Sequence, residues 1–207
     1  VALDGADADG DTLAFTATSS NSAVLPTVTS SGNRSLKIQV DSNGNSIHGT
    51  MKLELFEDLA PKTTQRIIQL AQQGFYNGLT FHRVIKNFMI QGGDPTGTGS
   101  GGSSVQFDDE YNAALRLTSR GVLAMAKSGD DTNDSQFFIT SGANGPRYLD
   151  YNHTIFGFLT EGDSILQAID NVATSGNAGN PAYKPLQTVT MSNVEVIQDR
   201  ENGVLRI

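Results

Sequence analysis

The 207-residue chain contains no cysteine. That excludes disulfides and thiolate metal sites, though it says nothing of compartment, since many exported bacterial proteins also lack the residue. No apolar run approaches the roughly 20 residues that a bilayer-spanning helix needs, so no membrane partner is expected. Positive charge is scarce: 14 Lys and Arg stand against 22 Asp and Glu, for a net charge of -8 and a sequence pI near 4.7. A general nucleic-acid binder needs a basic face to release counterions from phosphate, so nucleic acid is not an expected partner either. No G-K-[ST] follows any glycine run, which removes a phosphate-cradling loop, and "GTGSGG" (97–102) is not followed by the helix of a dinucleotide site. The only histidines, His48, His82 and His153, are not at metal-ligand spacing. Ser135 and Ser141 sit in no nucleophile elbow, so covalent catalysis has little support.

What is present is a chain long enough for one full domain plus an appendage, with 37% hydrophobic residues to build a core. It opens on Val1 with no basic-then-apolar leader, the expectation being a trimmed chain or an excised piece. Residues 1–34 are rich in Thr, Ser, Ala and Asp, with alternating runs such as "TLAFTAT" (12–18) and "VLPTVTSSGNRSLKIQV" (24–40) that read as strands. In "MKLELF" (51–56) Met51, Leu53 and Leu55 alternate with Lys52 and Glu54, the period of a strand with one buried face. Pro61 opens a helical pattern through Ile67, Ile68, Leu70 and Ala71, which Gly74 is placed to end. A second helix is expected over 164–172, capped by Asp163, with Ile165, Ile169 and Val172 on one face. Between and after these lie "FHRVI", "FMIQG", "GVLAMA", "QFFIT", "TIFGFL" and "QTVTMSNVEVI", short strand-like runs separated by glycine-rich loops. Many short strands with only two helices predict a mainly β fold, a closed or nearly closed antiparallel barrel whose openings the helices cover. Asn202-Gly203 in the tail is a hairpin signal.

In "DGADADGD" (4–11), Asp7, Asp9 and Asp11 alternate like calcium ligands. In a helix-loop-helix calcium site that begins at Asp7, however, position 6 would be Thr12 and position 12 Thr18, where glycine and a bidentate glutamate belong. A solvated Asp-Gly turn is the simpler reading, with interdomain calcium as the alternative.

"FHRVIKNFMIQGGDPTGTGSGG" (81–102), "GVLAMAKSGDDTNDSQFFIT" (121–140) and "YLDYNHTIFGFL" (148–159) occur in one order, behind "APKTTQRIIQLAQQGFYNGLTFHR" (60–83). Together they closely resemble the cyclophilin family of peptidyl-prolyl cis-trans isomerases, over about 35–197. The resemblance implies an eight-stranded antiparallel barrel capped by two helices, with a substrate groove on its outer surface. It implies that Arg83 is the catalytic cation and that Phe88, Met89, Phe138 and Leu149 receive the proline ring. It places His82 beside Arg83 and His153 in the pocket wall, and gives Gln91 and Gln136 to the substrate backbone. Ala126, Lys127 and Ser128 form the strip along the peptide main chain. The expected partners are proline-containing peptides and unfolded proteins, and neither cofactor nor metal is implied.

The chemistry suits such a set. Rotation about an Xaa-Pro bond meets a barrier of about 18–20 kcal/mol, because the C–N bond is partly double. At the twisted transition state the proline nitrogen becomes pyramidal and its lone pair can accept a hydrogen bond, which the planar ground state does not allow. A guanidinium aimed there favours the transition state selectively, without proton transfer. No base or nucleophile is needed.

Two positions depart from the family's pattern. Tyr148 stands where many members carry a tryptophan that contacts cyclosporin, so drug binding is expected to be weakened. Lys127 replaces a usual asparagine at a position expected to act mainly through its backbone, so the change is expected to tune peptide charge preference. Residues 1–34 fall outside the family and resemble bacterial extracellular cadherin-like or immunoglobulin-like repeats, although too few strands are present for a whole sandwich. The division is then an N-terminal β extension (1–34), an isomerase domain (35–197) and a hairpin tail (198–207). The repeat likeness predicts an exported bacterial protein, periplasmic or extracellular, with a cytoplasmic one as the alternative. Two functions fit: an active isomerase, or a binding module that holds proline-containing loops in the same groove. Only the first depends on Arg83.

Overall fold

A computed structural model describes residues 2–3, 27–30, 32–44, 46–178, 181–198 and 203–206. Asp7, Asp9, Asp11, the "TLAFTAT" strand and Asn202 of the tail turn lie outside the described residues. The elements in chain order are β1 (Ala2–Leu3), β2 (Thr27–Ser30), β3 (Arg34–Ser42), β4 (His48–Leu55), α1 (Pro61–Gln72), β5 (Arg83–Ile85), β6 (Met89–Gly92), β7 (Val122–Met125), β8 (Phe137–Thr140), β9 (Ile155–Glu161), α2 (Asp163–Asp170), β10 (Val189–Gln198) and β11 (Gly203–Arg206).

Eight strands form one antiparallel sheet in the order β10-β3-β4-β9-β7-β8-β6-β5. The sheet curls until its two edges meet. Thr80, just ahead of β5, bridges to Thr190 of β10, and the Met191 and Phe81 N–H groups donate to the carbonyls of Leu79 (2.8 Å) and Val189 (3.0 Å). Closure of this kind removes the unpaired edges an open sheet would present. A separate three-stranded sheet, β1-β11-β2, is built from both ends of the chain, so the strand beyond Asn202 pairs with β2 and β1.

Strand alternation fills the inside of the curl. Leu36, Ile38, Val40, Met51, Leu53, Leu55, Ile90, Leu123, Phe137 and Ile139 belong to one buried cluster, joined by Ile67, Ile68 and Leu70 of α1 and Leu166 and Ile169 of α2. A strand shows successive side chains to opposite faces, so Met89, Phe138, Val122 and Ala124 must point the other way. They form a second, smaller apolar cluster on the outside of the curl, together with Leu117 and Ile155.

α1 lacks a side-chain cap of its own, and Ala60 occupies the N-cap. Glu110 fills the role from 47 residues away: its carboxylate accepts the Thr63 N–H and hydroxyl, both at 2.9 Å, and the Lys62 N–H at 3.2 Å. That placement also sets a negative charge against the positive end of the helix dipole. The predicted stop is present. Gly74, at φ +71°, sends its N–H to Ala71 and is followed by Phe75 bonding back to Leu70, the Schellman arrangement.

Two expectations need correcting. Asp163 does not cap α2; it is the first helical residue, and Gly162 holds the N-cap. Asp163 instead pairs with Arg120. Nor is the polar side of β4 exposed, since Lys52 and Glu54 are 7% and 0% accessible. Lys52 pairs with Glu161 at 2.5 Å, which offsets the burial of its charge, and Glu54 accepts a 2.9 Å bond from Asn33.

Candidate active site

The antiparallel register decides which residues meet on the outer face. Arg83 of β5 lies opposite Gln91 of β6, Gln91 opposite Phe138 of β8, and Phe138 opposite Ala124 of β7. One row across four strands therefore sets a guanidinium, an amide and an aromatic ring side by side. Arg83 Nη1 donates to Gln91 Oε1 at 3.2 Å, and Gln91 Nε2 donates to Gln136 Oε1 at 2.9 Å. Gln136 Nε2 is anchored in turn on the carbonyls of Gly99 (3.0 Å) and Gly101 (2.8 Å). Each amide in this chain has its donor and acceptor ends assigned by its neighbours, which fixes where the guanidinium sits.

The loop at the far end of the chain is knotted by Asp94, which is 1% exposed. Its carboxylate accepts the N–H groups of Thr96 (2.7 Å), Thr98 (3.1 Å), Gly99 (2.6 Å) and Gly101 (3.1 Å) and the Thr96 hydroxyl (2.8 Å). Burial alone would raise its pKa, but the hydrogen bonds from Thr96, Gly101 and Gly99 outweigh it and bring the value to about 2. A Cβ on Gly101 would fall 2.1 Å from Asp94 Oδ1, so the loop tolerates no side chain there. Gly93, at φ +86°, is restricted likewise, because a Cβ would meet the Ser135 carbonyl oxygen at 2.3 Å.

Beside the row lies a pocket of about 190 Å³ lined by Arg83, Phe88, Met89, Gln91, Ala126, Lys127, Phe138, Leu149 and His153. Its floor is the outer apolar cluster, in which Met89 and Phe138 are 2% and 5% exposed. The His153 ring meets Phe138 edge to face at 5.4 Å, and its Nδ1 lies 2.9 Å from the Met125 carbonyl. Only a protonated Nδ1 can donate there. Burial lowers the His153 pKa, which keeps the ring neutral. Tyr148, 77% exposed, stacks on Phe88 at 6.5 Å between ring centres.

Nine of the residues named from the sequence thus line one pocket. Ser128 and Gln136 line an adjoining groove of about 310 Å³, which shares Gln91, Ala126 and Lys127 with the first. His82 is placed elsewhere. It is 1% exposed and faces a third cavity, with Phe81, Asp94 and Lys184, on the other side of the strand from Arg83. Burial lowers its pKa as well.

Sequence reasoning missed two groups. Asp170 at the end of α2 accepts the Asn87 N–H (3.1 and 3.2 Å) and the Ser141 hydroxyl (2.5 Å), and so holds the β5–β6 turn, where Asn87 sits at φ +58°. Asp109 pairs with Lys127 at 2.5 Å beneath the Ala126–Ser128 strip.

The family model for "Cyclophilin type peptidyl-prolyl cis-trans isomerase/CLD" matches residues 36–196. The chain belongs to the cyclophilin-type peptidyl-prolyl cis-trans isomerases. Among curated cyclophilin-type relatives, "Peptidyl-prolyl cis-trans isomerase-like 1" of Mus musculus is 49% identical over 130 residues, 61% of this chain and 77% of that protein. Its namesake in Aspergillus oryzae is 43% identical over 156 residues, 74% of this chain and 92% of that protein. A crystal structure of a Cryptosporidium parvum cyclophilin-type isomerase superposes with a TM-score of 0.71 at 34% identity, covering 81% of this chain and 99% of that one. The same isomerase in the presence of the dipeptide Ala-Pro gives 0.70. These findings overturn the expectation of an exported bacterial protein, because the curated relatives are mammalian and fungal.

Proposed function

We propose that this chain catalyses rotation about Xaa-Pro peptide bonds, and so assists protein folding, through transition-state stabilisation by Arg83. The observation that carries the reading is the cross-strand row, which aims a guanidinium held by Gln91 along the rim of an apolar pocket. Phe88, Met89, Phe138 and Leu149 hold the proline ring while the preceding carbonyl turns, and neutral His153 closes the wall. As the nitrogen becomes pyramidal, Arg83 donates to its lone pair. The low polarity of the pocket strengthens that charge-assisted bond, which is absent in the planar ground state. Gln91 and Gln136 exchange their present bonds for the peptide backbone, which runs along Ala126, Lys127 and Ser128. His82 acts from behind, by packing the strand that carries Arg83.

The Ala-Pro dipeptide of the Cryptosporidium parvum structure supports proline-containing peptides as the ligand class. Tyr148 in place of tryptophan leaves cyclosporin binding weakened. Residues 1–34 and 198–207 flank the catalytic unit 35–197 in this reading, the first as a partial cadherin-like or immunoglobulin-like extension.

The test is cis–trans exchange of an Ala-Pro-Phe peptide, followed by NMR, with wild type and Arg83→Ala. Loss of one transition-state hydrogen-bond donor is worth about 10²- to 10³-fold in kcat. Collapse of exchange with peptide binding retained is the expected result. Equal exchange by both proteins would sink the proposal, and binding without acceleration in the wild type would make the chain a proline-docking module.

A further inference from the structure

Lys127 forms part of the wall between the proline pocket and the adjoining groove, yet its side chain is only 3% exposed. All three ammonium protons are engaged. Nζ lies 2.5 Å from Asp109 Oδ2, 3.1 Å from Asp130 Oδ1 and 3.0 Å from the Tyr111 hydroxyl. Asp109 is itself 6% exposed and accepts further bonds from the Asp131 N–H (3.1 Å) and Asn133 Nδ2 (2.9 Å). Asn133 Nδ2 also reaches the Phe107 carbonyl at 3.3 Å. Three segments, 107–111, 126–128 and 130–133, are therefore tied through one ammonium. A cation whose donors all point at protein acceptors and whose charge is balanced by the equally buried Asp109, with the exposed Asp130 on its outer side, has little field left for a ligand.

We propose that Lys127 is a positioning residue: its ammonium, neutralised by Asp109 and Asp130, clamps the Ala126–Ser128 ridge in the shape that a bound peptide lies along, and it does not read the substrate's charge. The inference rests on the site reading given under Proposed function; it keeps the backbone role expected of this position and sets aside the expected tuning of charge preference. Its kinetic consequence differs from that of Arg83. A ridge that touches the peptide's flanking main chain does so equally in the planar and the twisted state, so losing its shape weakens uniform binding and raises KM. Arg83 acts only on the twisted state and shows in kcat.

The experiment compares wild type, Lys127→Met, Lys127→Arg, Asp109→Asn and Arg83→Ala on Glu-Pro-Phe and Lys-Pro-Phe peptides, with Tm measured for each. Lys127→Met is expected to raise KM about 5- to 20-fold, with most of the loss in kcat/KM lying there, and Lys127→Arg to recover most of it. The ratio of the two peptides should stay at the wild-type value in the double variant Lys127→Met/Asp109→Asn, which removes the ammonium together with one partner carboxylate and leaves the local charge unchanged. Asp109→Asn keeps an acceptor but removes the buried counter-charge, so a preference for Glu-Pro-Phe should then emerge. A folded Lys127→Met with unchanged KM, or a folded Lys127→Met/Asp109→Asn whose peptide ratio shifts, overturns the inference. If Lys127→Met does not fold, an Asp109→Asn protein with wild-type KM and peptide ratio overturns it equally. Failure of Arg83→Ala to slow exchange would instead defeat the underlying site reading, whatever Lys127 does.

Discussion

Asp170→Ala is the most informative perturbation away from the pocket itself. The carboxylate is 4% exposed and satisfies two donors, the Asn87 N–H and the hydroxyl of Ser141, which is itself 2% exposed. Each buried donor left without a partner costs about 1–3 kcal/mol, and Asn87 is nearer water than Ser141, so a loss of about 2–4 kcal/mol is expected. With a urea m-value of about 1–3 kcal/mol/M, the unfolding midpoint should fall by roughly 1–2 M. The same change releases the turn between β5 and β6, and with it the strands that carry Arg83, Met89 and Gln91. Misplacement of a positioned group by about 1 Å can cost roughly 10²-fold, so a 10- to 100-fold fall in kcat/KM is expected on fully folded protein. Asp170→Asn keeps one acceptor oxygen and should lie between. Urea melts and peptide exchange on the same preparations separate the two effects. A variant with the lowered midpoint but wild-type kcat/KM would show that the α2 contact holds the fold and not the site.

Two further outcomes are expected. Asp94 has a folded pKa of about 2 against an ordinary carboxylate value of 3.8, so it binds fewer protons folded than unfolded. Its contribution to stability is complete above pH 3.8 and is lost as pH falls toward 2, and Asp94→Asn should flatten that part of a pH–stability curve while lowering stability at neutral pH. Tyr148→Trp should tighten cyclosporin binding, measured by calorimetry, and leave peptide exchange near the wild-type rate; unchanged drug affinity would show that the exposed ring at this position is not what limits it.

The strands of the barrel were legible because they are β-rich runs set off by turn residues, and because three motifs stood in one order. Their register was not legible from propensity, yet register is what brings Arg83, Gln91 and Phe138 together. The family resemblance places His82 beside Arg83, whereas alternation along an extended chain sends neighbours to opposite faces, a signal the sequence carries. The Lys127–Asp109 and Asp170–Asn87 pairs span 18 and 83 residues. Contacts of that range leave no local pattern, since nothing in a run of Asp and Gly distinguishes a buried hub from a solvated turn. Asp163 at α2 shows the same limit at short range: a residue suited to capping was drawn to Arg120, and a glycine at φ +88° took its place.

Phe137 and Ile139 look into the barrel while Phe138 and Thr140 look out of it, so two unrelated requirements are written on alternate letters of "FFIT". Phe137 and Ile139 fill the core, Thr140 ties the strand to Ser119 and Val122, and in the proposed reading Phe138 meets the ligand. Both sets are buried, Phe138 at 5% and Thr140 at 0% exposure, so the outer letters carry packing of their own besides any ligand role. The same economy makes the strand intolerant of a one-residue slip, because that would exchange the two sets at once and cost the molecule its core and its pocket together.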